Sequence, residues 1–123
     1  MKRLENKVAL ISGATKGIGR TAAHLFASEG AKVVICGRDA KEGESAAAAI
    51  NADYPGHAVF CRLDVTLRES WEEAIKLAKE RFGELNILIN NAGTSYRESL
   101  PEISDETWNK TIATNQTGVF YGM

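Results

Sequence analysis

Short apolar segments alternate along this chain with longer segments in which apolar residues recur every three or four positions. Four of the short segments have the length of buried strands and are rich in Val, Ile and Leu: residues 7–12, 32–36, 58–63 and 87–90. The longer segments predict helices over residues 17–29, 40–51 and 67–82, and a fourth helix that begins after Ser104 and continues to Met123. This alternation predicts an α/β fold with a parallel sheet, flanking helices and right-handed crossovers.

The helical spacing also assigns an inner face to two of the helices. On the first helix the apolar residues at this spacing are Ile18, Ala22, Leu25 and Phe26. On the third helix they are Trp71, Ala74, Ile75, Ala78 and Phe82. Side chains suited to capping precede the last three helices, and these are Asp39, Thr66 and Ser104.

With 123 residues, 44% of them hydrophobic and 25% charged, the chain has the size and composition of one globular domain. A net charge of −1 with interleaved acids and bases indicates neither a nucleic-acid nor a membrane partner, and no signal peptide or membrane span is predicted. Cys36 and Cys61 do not form a metal-binding pattern, so no metal site is predicted. Two free thiols are typical of a cytoplasmic protein, and that is the location we expect.

A glycine-rich turn joins the first predicted strand to the first helix, with the sequence S-G-A-T-K-G-I-G at residues 12–19. A strand, such a turn and an amphipathic helix in direct succession are the arrangement that binds dinucleotides. We expect Gly13 to turn the chain off the strand, Gly17 to let a pyrophosphate approach the backbone, and Gly19 to let the helix pack closely. The pyrophosphate would lie on N–H groups at the positive end of the helix. The predicted cofactor contacts of this turn are Gly13, Thr15, Lys16, Gly17, Ile18 and Gly19.

The end of the second strand predicts which dinucleotide is bound. Folds that prefer NAD place a carboxylate there for the ribose 2′-hydroxyl, whereas this chain has Gly37 followed by Arg38. A glycine removes the carboxylate that would repel a 2′-phosphate, and Arg38 and Lys16 would neutralise the charge of that phosphate. We therefore favour NADP. The alternative is NAD with Asp39 as the ribose ligand, although Asp39 is also the expected cap of the second helix.

Four motifs resemble those of the short-chain dehydrogenases/reductases and occur in the order found in that family. The glycine turn is similar to the family's T-G-x-x-x-G-x-G motif, with Ser12 in place of the threonine. L-D-V-T at residues 63–66 resembles the adenine-binding segment, and N-N-A-G at residues 90–93 resembles the motif after strand 4. Asn115 stands where the family has its helix-4 active-site asparagine. The resemblance covers nearly the whole chain.

This resemblance implies a role for each matched residue. Asp64 would bond the adenine amino group and Val65 would flank the adenine ring, while Asn90 would brace the sheet. The residues that would line the ribose side of the cofactor are Asn91, Ala92 and Gly93. Two alternatives stay open: Asp64 could instead cap the turn that follows it, and Asn115 could be an ordinary polar residue of a helix.

The family's catalytic serine and Tyr-x-x-x-Lys pair have no counterpart in these residues. None of the three tyrosines, Tyr54, Tyr96 and Tyr121, has a lysine four positions later. The family's seven-stranded order 3-2-1-4-5-6-7 would be incomplete here and leave 3-2-1-4, with strand 4 as a bare edge. We therefore expect residues 1–123 to be a single truncated dinucleotide-binding domain that forms a homo-oligomer through the edge of strand 4 or through helix 4.

Several functions are compatible with this sequence. The first is an NADP(H)-binding module without oxidoreductase activity of its own, in which Asn115 is vestigial. The second is hydride transfer between NADP(H) and a small carbonyl or alcohol substrate, completed by missing residues or by a partner chain. The third is a structural or interaction role in which no nucleotide is bound. The chain could also be a fragment of a full enzyme, which the predicted fourth helix supports because it is still running at Met123.

Overall fold

The computed structural model describes residues 2–94 and 102–123. Strands and helices alternate along the chain, as the apolar pattern predicts. The strands are β1 (Val8–Ile11), β2 (Lys32–Gly37), β3 (Ala58–Arg62) and β4 (Ile87–Ile89). The helices are α1 (Gly17–Ser28), α2 (Ala40–Asp53), α3 (Arg68–Phe82), α4 (Asp105–Ile112) and α5 (Gly118–Gly122). A π-helical turn, Ala113–Thr117, joins α4 to α5.

The four strands form one parallel sheet in the order β3-β2-β1-β4, which confirms the predicted fold class and strand order. β1 lies between two neighbours, with Ile11 opposite Ile35 of β2 on one side and opposite Ile89 of β4 on the other. Because all four strands point the same way, the segments that follow them meet along one edge of the sheet. The predicted motifs lie in those segments.

Successive side chains of the central strands enter two separate hydrophobic clusters, one on each face of the sheet. Ile11 and Ile35 belong to the first cluster, which contains alanines from α1 and α2. Leu10 and Val34 belong to the second cluster, together with the buried indole of Trp71 from α3. No helix of the described residues is both long and apolar enough to cross a bilayer.

The inner face of α1 differs from the predicted one. Ile18 and Leu25 were expected inside, but their side chains are 83% and 58% exposed. The buried residues of this helix are Gly19, Ala23 and Ala27. A Cβ atom at position 19 would lie only 2.5 Å from the carbonyl oxygen of Gly13, so this end of α1 packs too closely for a larger residue. The helix is therefore oriented by its smallest residues. The prediction was wrong for Ile18 and Leu25, whereas Phe26 packs against the first cluster as expected.

The predicted fourth helix extends through α4 and α5 and contains one wider turn. α4 begins after Ser104, whose hydroxyl accepts the N–H of Thr107 as expected of a cap, and the π-helical turn joins α4 to α5 without a break in the helix. A Cβ on Gly118 would lie 2.8 Å from a methyl group of Val65, and one on Gly122 would lie 2.6 Å from the indole of Trp71. Glycines therefore let α5 lie directly against the second cluster. The spacing of apolar residues does not predict the π-helical turn. Such a turn adds one residue to a helix and leaves the segments on both sides α-helical.

Candidate functional site

A crevice of about 350 Å³ lies along the edge of the sheet where all four strands end. Each strand contributes the residues that follow it, and the π-helical turn closes one side. The lining residues are Gly13, Thr15, Lys16, Gly37, Arg38, Asp39, Glu42, Leu63, Asp64, Val65, Asn91, Ala92, Gly93 and Thr114. Crevices at this position are where ligands bind in open α/β sheets.

Most of the residues predicted from the motifs are brought together in this lining. Gly17, Ile18 and Gly19 are outside it, because they already belong to the first turn of α1. The sequence prediction missed three lining residues, Glu42, Leu63 and Thr114. Leu63 directly precedes the predicted adenine-binding Asp64 and Thr114 directly precedes Asn115, so the neighbouring motifs carried the signal. Tyr96, one of the three tyrosines considered above, lies outside the described residues.

The buried hydroxyl of Ser12 ties the glycine turn to the loop after β4. Its oxygen accepts the backbone N–H groups of Asn91, at 3.1 Å, and Ala92, at 3.0 Å. The hydroxyl also donates to the carbonyl oxygen of Ile89 at 3.4 Å. The side-chain amide of Asn91 completes the connection by donating to the carbonyl oxygen of Gly13 at 3.0 Å. Two of the four motifs therefore form one hydrogen-bonded unit.

The glycines of the turn differ in what surrounds them. Gly13 has φ +65°, and an added Cβ would lie 2.8 Å from the Cα atom of Ala92, so both its conformation and its packing require glycine. Gly17 has φ +63°, but no atom lies within 4 Å of an added Cβ. The space beside Gly17 is therefore open among the described residues, at the first residue of α1.

The N-terminus of α1 lacks the features that normally occupy such an end. Lys16 occupies the N-cap position and forms no capping side-chain bond, and the first turn contains no acidic residue. In contrast, α2 is capped by Asp39, whose carboxylate accepts the N–H of Glu42 at 3.0 Å, as predicted. Uncapped N–H groups at the positive end of a helix, beside a lysine, suit an anionic ligand such as a pyrophosphate.

The end of β2 has a packing reason for its glycine. A Cβ on Gly37 would lie 2.5 Å from the methyl group of the buried Thr15. This contact requires a glycine whichever nucleotide is bound. The charge argument for a 2′-phosphate therefore depends on Arg38 and Lys16, which are both exposed in the crevice lining, and not on Gly37.

Asp64 uses one carboxylate oxygen in the turn that follows β3. Its Oδ1 atom accepts the backbone N–H of Thr66 at 3.0 Å and the hydroxyl of Thr66 at 2.6 Å. Partial burial raises the pKa of Asp64, but these hydrogen bonds outweigh that effect and hold the pKa below its usual value. The positive charges of Arg38 and Arg62 lower the pKa further.

We expected Thr66 to cap α3, and this prediction was wrong. The N-cap residue is Leu67, and it forms no capping side-chain bond. The Thr66 hydroxyl is directed to Asp64, to which it donates, and Thr66 lies one position before the N-cap residue. The structure thus supports the turn role of Asp64 that was left open, in which Oδ1 takes part, and Asp64 also lines the crevice.

Asn115 holds the loop after β4 from the other side. Its side-chain oxygen accepts the N–H of Thr94 at 2.7 Å, and its side-chain nitrogen donates to the carbonyl oxygen of Thr94 at 2.8 Å. Asn115 itself lies in the π-helical turn, and its neighbour Thr114 lines the crevice. Asn115 thus positions the end of the N-N-A-G loop. The described residues contain no group of three or more His, Cys, Asp or Glu side chains that could hold a metal ion.

The sequence profile of the short chain dehydrogenase family matches residues 7–123. Trans-4-hydroxycyclohexanecarboxylate dehydrogenase of Sinomonas cyclohexanicum is 44% identical over 126 aligned positions, which cover 98% of this chain and 49% of that enzyme. The NADP-dependent (R)-specific alcohol dehydrogenase of Lentilactobacillus kefiri is 39% identical, covering 98% of this chain and 47% of that enzyme. The chain therefore spans about half the length of the curated relatives it matches.

Solved structures share the same architecture. A short-chain dehydrogenase/reductase (glucose/ribitol dehydrogenase) from Brucella melitensis has a TM-score of 0.92 and 34% identity, over 99% of this chain and 51% of that one. A 3-ketoacyl-(acyl-carrier-protein) reductase from the same organism, in complex with NADH, has a TM-score of 0.91 and 34% identity, over 97% of this chain and 48% of that one. The profile match, these structures and the motifs gathered at the crevice agree, and the chain belongs to the short-chain dehydrogenase family.

Proposed function

We propose that the crevice binds the adenosine and pyrophosphate portion of a nicotinamide dinucleotide, with NADP(H) preferred over NAD(H). The observation that carries this proposal is the uncapped N-terminus of α1, with open space beside Gly17 and with Lys16 in the crevice lining. A phosphate group is the ligand that such a helix end favours. When bound, the nicotinamide ring would donate or accept a hydride.

The remaining lining residues fit the other parts of this ligand. Val65 and Leu63 are buried apolar residues on the wall formed by the segment after β3, where an adenine ring would lie. The free carboxylate oxygen of Asp64 is available to the adenine amino group, since Thr66 bonds only to Oδ1. The loop of Asn91 and Ala92, fixed by Ser12, would border the ribose.

The preference for NADP rests on charge at the end of β2. Arg38 and Lys16 are the cations of the lining, and a guanidinium group can bind a phosphate with two parallel hydrogen bonds. Asp39 is the carboxylate that would favour NAD, but it is engaged as the cap of α2. The name of the Lentilactobacillus kefiri relative includes NADP, whereas the Brucella melitensis reductase was solved with NADH, so relatives support a nicotinamide dinucleotide in general.

A second function is hydride transfer between this cofactor and a small carbonyl or alcohol substrate. The named relatives are dehydrogenases and reductases, which favours this chemistry for an assembly that contains the residues lacking here. The serine, tyrosine and lysine that the family resemblance requires would come from further polypeptide or from a partner chain. Without them, the 123 residues bind the nucleotide and have no reductase activity of their own.

We also propose that this chain associates with a second copy through β4 or the α4–α5 segment. β4 pairs with β1 on one side, and its other edge has no strand partner among the described residues. Trp108 of α4 and Phe120 of α5 are 56% and 66% exposed, which is unusual for such large apolar side chains. Light scattering tests this association: a dimer or larger species supports it, and a monodisperse monomer at working concentration contradicts it.

Calorimetric titration of the purified chain with NADPH, and with NADH for comparison, tests the main proposal. Saturable binding of both nucleotides with tighter binding of NADPH is expected. Tighter binding of NADH would contradict the role of Arg38. The absence of binding at millimolar nucleotide would favour the alternative that this chain has a structural or interaction role. Steady oxidation of NADPH by the purified chain with a panel of ketones and aldehydes would contradict the proposal that the 123 residues have no reductase activity of their own.

A further inference from the structure

Cys36 and Cys61 lie directly opposite each other on neighbouring strands. Cys36 in β2 and Cys61 in β3 are partners in the register of the parallel pair. Both side chains enter the same hydrophobic cluster, so both point to the same face of the sheet. The two cysteines are 25 positions apart in sequence, and the strand register brings them together.

The spacing of this pair is compatible with a disulfide. Neighbouring strands lie about 4.7–4.9 Å apart. The Cα atoms of disulfide-bonded cysteines are usually about 4.4–6.8 Å apart, so two residues in direct register fall within that range. Both cysteines are free thiols in this structure. The register therefore places the two cysteines where a disulfide can bridge β2 and β3.

The two thiols also differ in the way that a stepwise oxidation requires. Cys36 lies on β2, an internal strand of the sheet, and is fully buried. Cys61 lies on β3, an edge strand, and is half-buried. A hydrogen bond between the two thiols lowers the pKa of Cys61 and raises that of Cys36, whose burial raises it further. Partial burial and the carboxylate of Glu73 oppose the lowering at Cys61 without reversing it. Cys61 is accordingly the more accessible and more acidic thiol.

We propose that Cys36 and Cys61 form a reversible dithiol–disulfide site that small disulfides oxidise, with Cys61 reacting first. The Cys61 thiol loses its proton, and its sulfur attacks one sulfur of the small disulfide. A mixed disulfide forms on Cys61, and the other half leaves as a thiolate that takes up a proton. Cys36 then loses its proton and attacks the Cys61 sulfur, which releases the second small thiol. Two protein thiols are oxidised, and one small disulfide is reduced to two thiols.

The site adjoins the proposed nucleotide crevice. Gly37 and Arg38 follow Cys36, and the guanidinium group of Arg62, next to Cys61, donates to the carbonyl oxygen of Arg38 at 3.4 Å. A disulfide draws the side chains of these strand ends together, because its Cβ atoms must lie about 3.5–4.5 Å apart. The oxidised chain is thus expected to bind the 2′-phosphate region more weakly. This consequence rests on the proposed function, whereas the disulfide itself does not.

The experiment treats the reduced full chain with glutathione disulfide and follows its intact mass and its free thiols. The wild-type chain is expected to lose both thiols and to have a mass lower by two hydrogens, with a peptide that links residues 36 and 61. Cys36→Ala is expected to stop at one bound glutathione, and Cys61→Ala to keep its buried thiol. Wild-type chain that retains both thiols, accumulates a stable glutathione adduct, or forms a disulfide between two chains overturns the proposal.

The wild-type peptide map gives this answer even if a variant fails to fold. Titration of the reduced and oxidised chains with NADPH tests the coupling separately. NADPH binding that is weaker by roughly fivefold or more after oxidation supports the coupling. A fivefold change is the lower end of the range that is typical of coupling between two sites. Equal affinity overturns the coupling. If the reduced chain binds no nucleotide, the proposed function fails while the mass and thiol results still decide the disulfide.

Discussion

The hydroxyl oxygen of Ser12 accepts the backbone N–H of Ala92 at 3.0 Å, and so connects two loops that are 80 residues apart in sequence. The same oxygen accepts the N–H of Asn91. One side chain that is only 1% exposed therefore satisfies two backbone donors at the wall of the crevice. The position of the N-N-A-G loop depends on this atom.

Replacing Ser12 with Ala removes the acceptor and leaves both N–H groups without a partner. We expect the free energy of unfolding to fall by about 1 kcal/mol, because the two N–H groups are only partly buried and water replaces part of each lost bond. Chemical denaturation measures this change, and hydrogen exchange locates it at the amides of Asn91 and Ala92. Ser28→Ala is the control, because that hydroxyl bonds only to the carbonyl oxygen of Leu25 within the same helix. Unchanged exchange at both amides would contradict the prediction.

Replacing Gly17 with Ala separates the effect on folding from the effect on binding. Its positive φ costs an alanine about 1–2 kcal/mol, but no atom obstructs the new methyl group. The chain should therefore fold with a modest loss of stability, while a methyl group is added at the helix end that is proposed to bind the phosphate. Calorimetry is expected to show a large loss of NADPH affinity.

Gly56→Ala is the matched control for that variant. Gly56 has φ +77° and likewise no atom within 4 Å of an added Cβ, but it lies in the turn between α2 and β3, away from the crevice. We expect a similar loss of stability and no loss of nucleotide affinity. If both variants bound NADPH equally well, Gly17 would have no role in binding.

Replacing Arg38 with Asp is expected to shift the preference from NADPH to NADH. Hydrogen bonds to charged groups contribute about 1.5–3 kcal/mol, so the ratio of the two affinities should change by about tenfold or more. Calorimetric titration of the variant with both nucleotides measures that ratio. Arg81→Asp provides the control, since Arg81 carries the same charge on the exposed surface of α3 and does not line the crevice. A ratio unchanged by Arg38→Asp would count against NADP selectivity.

Replacing Asn115 with Ala removes both hydrogen bonds to the backbone of Thr94. We expect faster hydrogen exchange at the Thr94 amide and a loss of about 1 kcal/mol in stability, because the site is exposed and water replaces part of each bond. Gln116→Ala is the control in the same π-helical turn, with an equally exposed side chain. Equal exchange at Thr94 in the two variants would show that Asn115 does not position this loop.

Asp64 predicts a dependence of stability on pH. Its folded-state pKa is lowered from the model-compound value of 3.8, so its carboxylate stabilises the folded chain above that pH. This contribution is lost as the pH falls below 3.8 toward the folded-state pKa. Asp64→Asn should therefore be less stable than wild type at pH 7, and the difference should shrink in acid. Glu72→Gln removes the same charge from the exposed surface of α3 and serves as the control.

The sequence was sufficient to predict the fold because strands and helices differ in period and length. Four apolar runs separated by helical spacing specify a parallel sheet, and the family resemblance supplied the order of its strands. The observed boundaries differ by a residue or two, as at β4, which ends at Ile89 instead of residue 90. Most of the crevice was predicted as well, since each motif directly follows a strand and all parallel strands end at one edge.

The features that sequence reasoning missed depend on contacts between distant segments. The orientation of α1 follows from the closeness of Gly19 to the Gly13 carbonyl, which the period of the apolar residues does not contain. Thr66 looked like a helix cap, but its hydroxyl binds Asp64 instead. The pairing of Cys36 with Cys61 depends on strand register, which no local pattern specifies.

The small inner face of α1 has a consequence for where charge can be placed. With Gly19, Ala23 and Ala27 against the sheet, the helix axis lies nearer to β1 than larger residues would permit. The partial positive charge at the start of the helix is thereby held close to the end of β1, because glycine and alanine have little or no side chain to separate the helix from the strand. A larger residue at position 19 would therefore move a source of electrostatic potential away from the crevice, even though the charge of the protein would be unchanged.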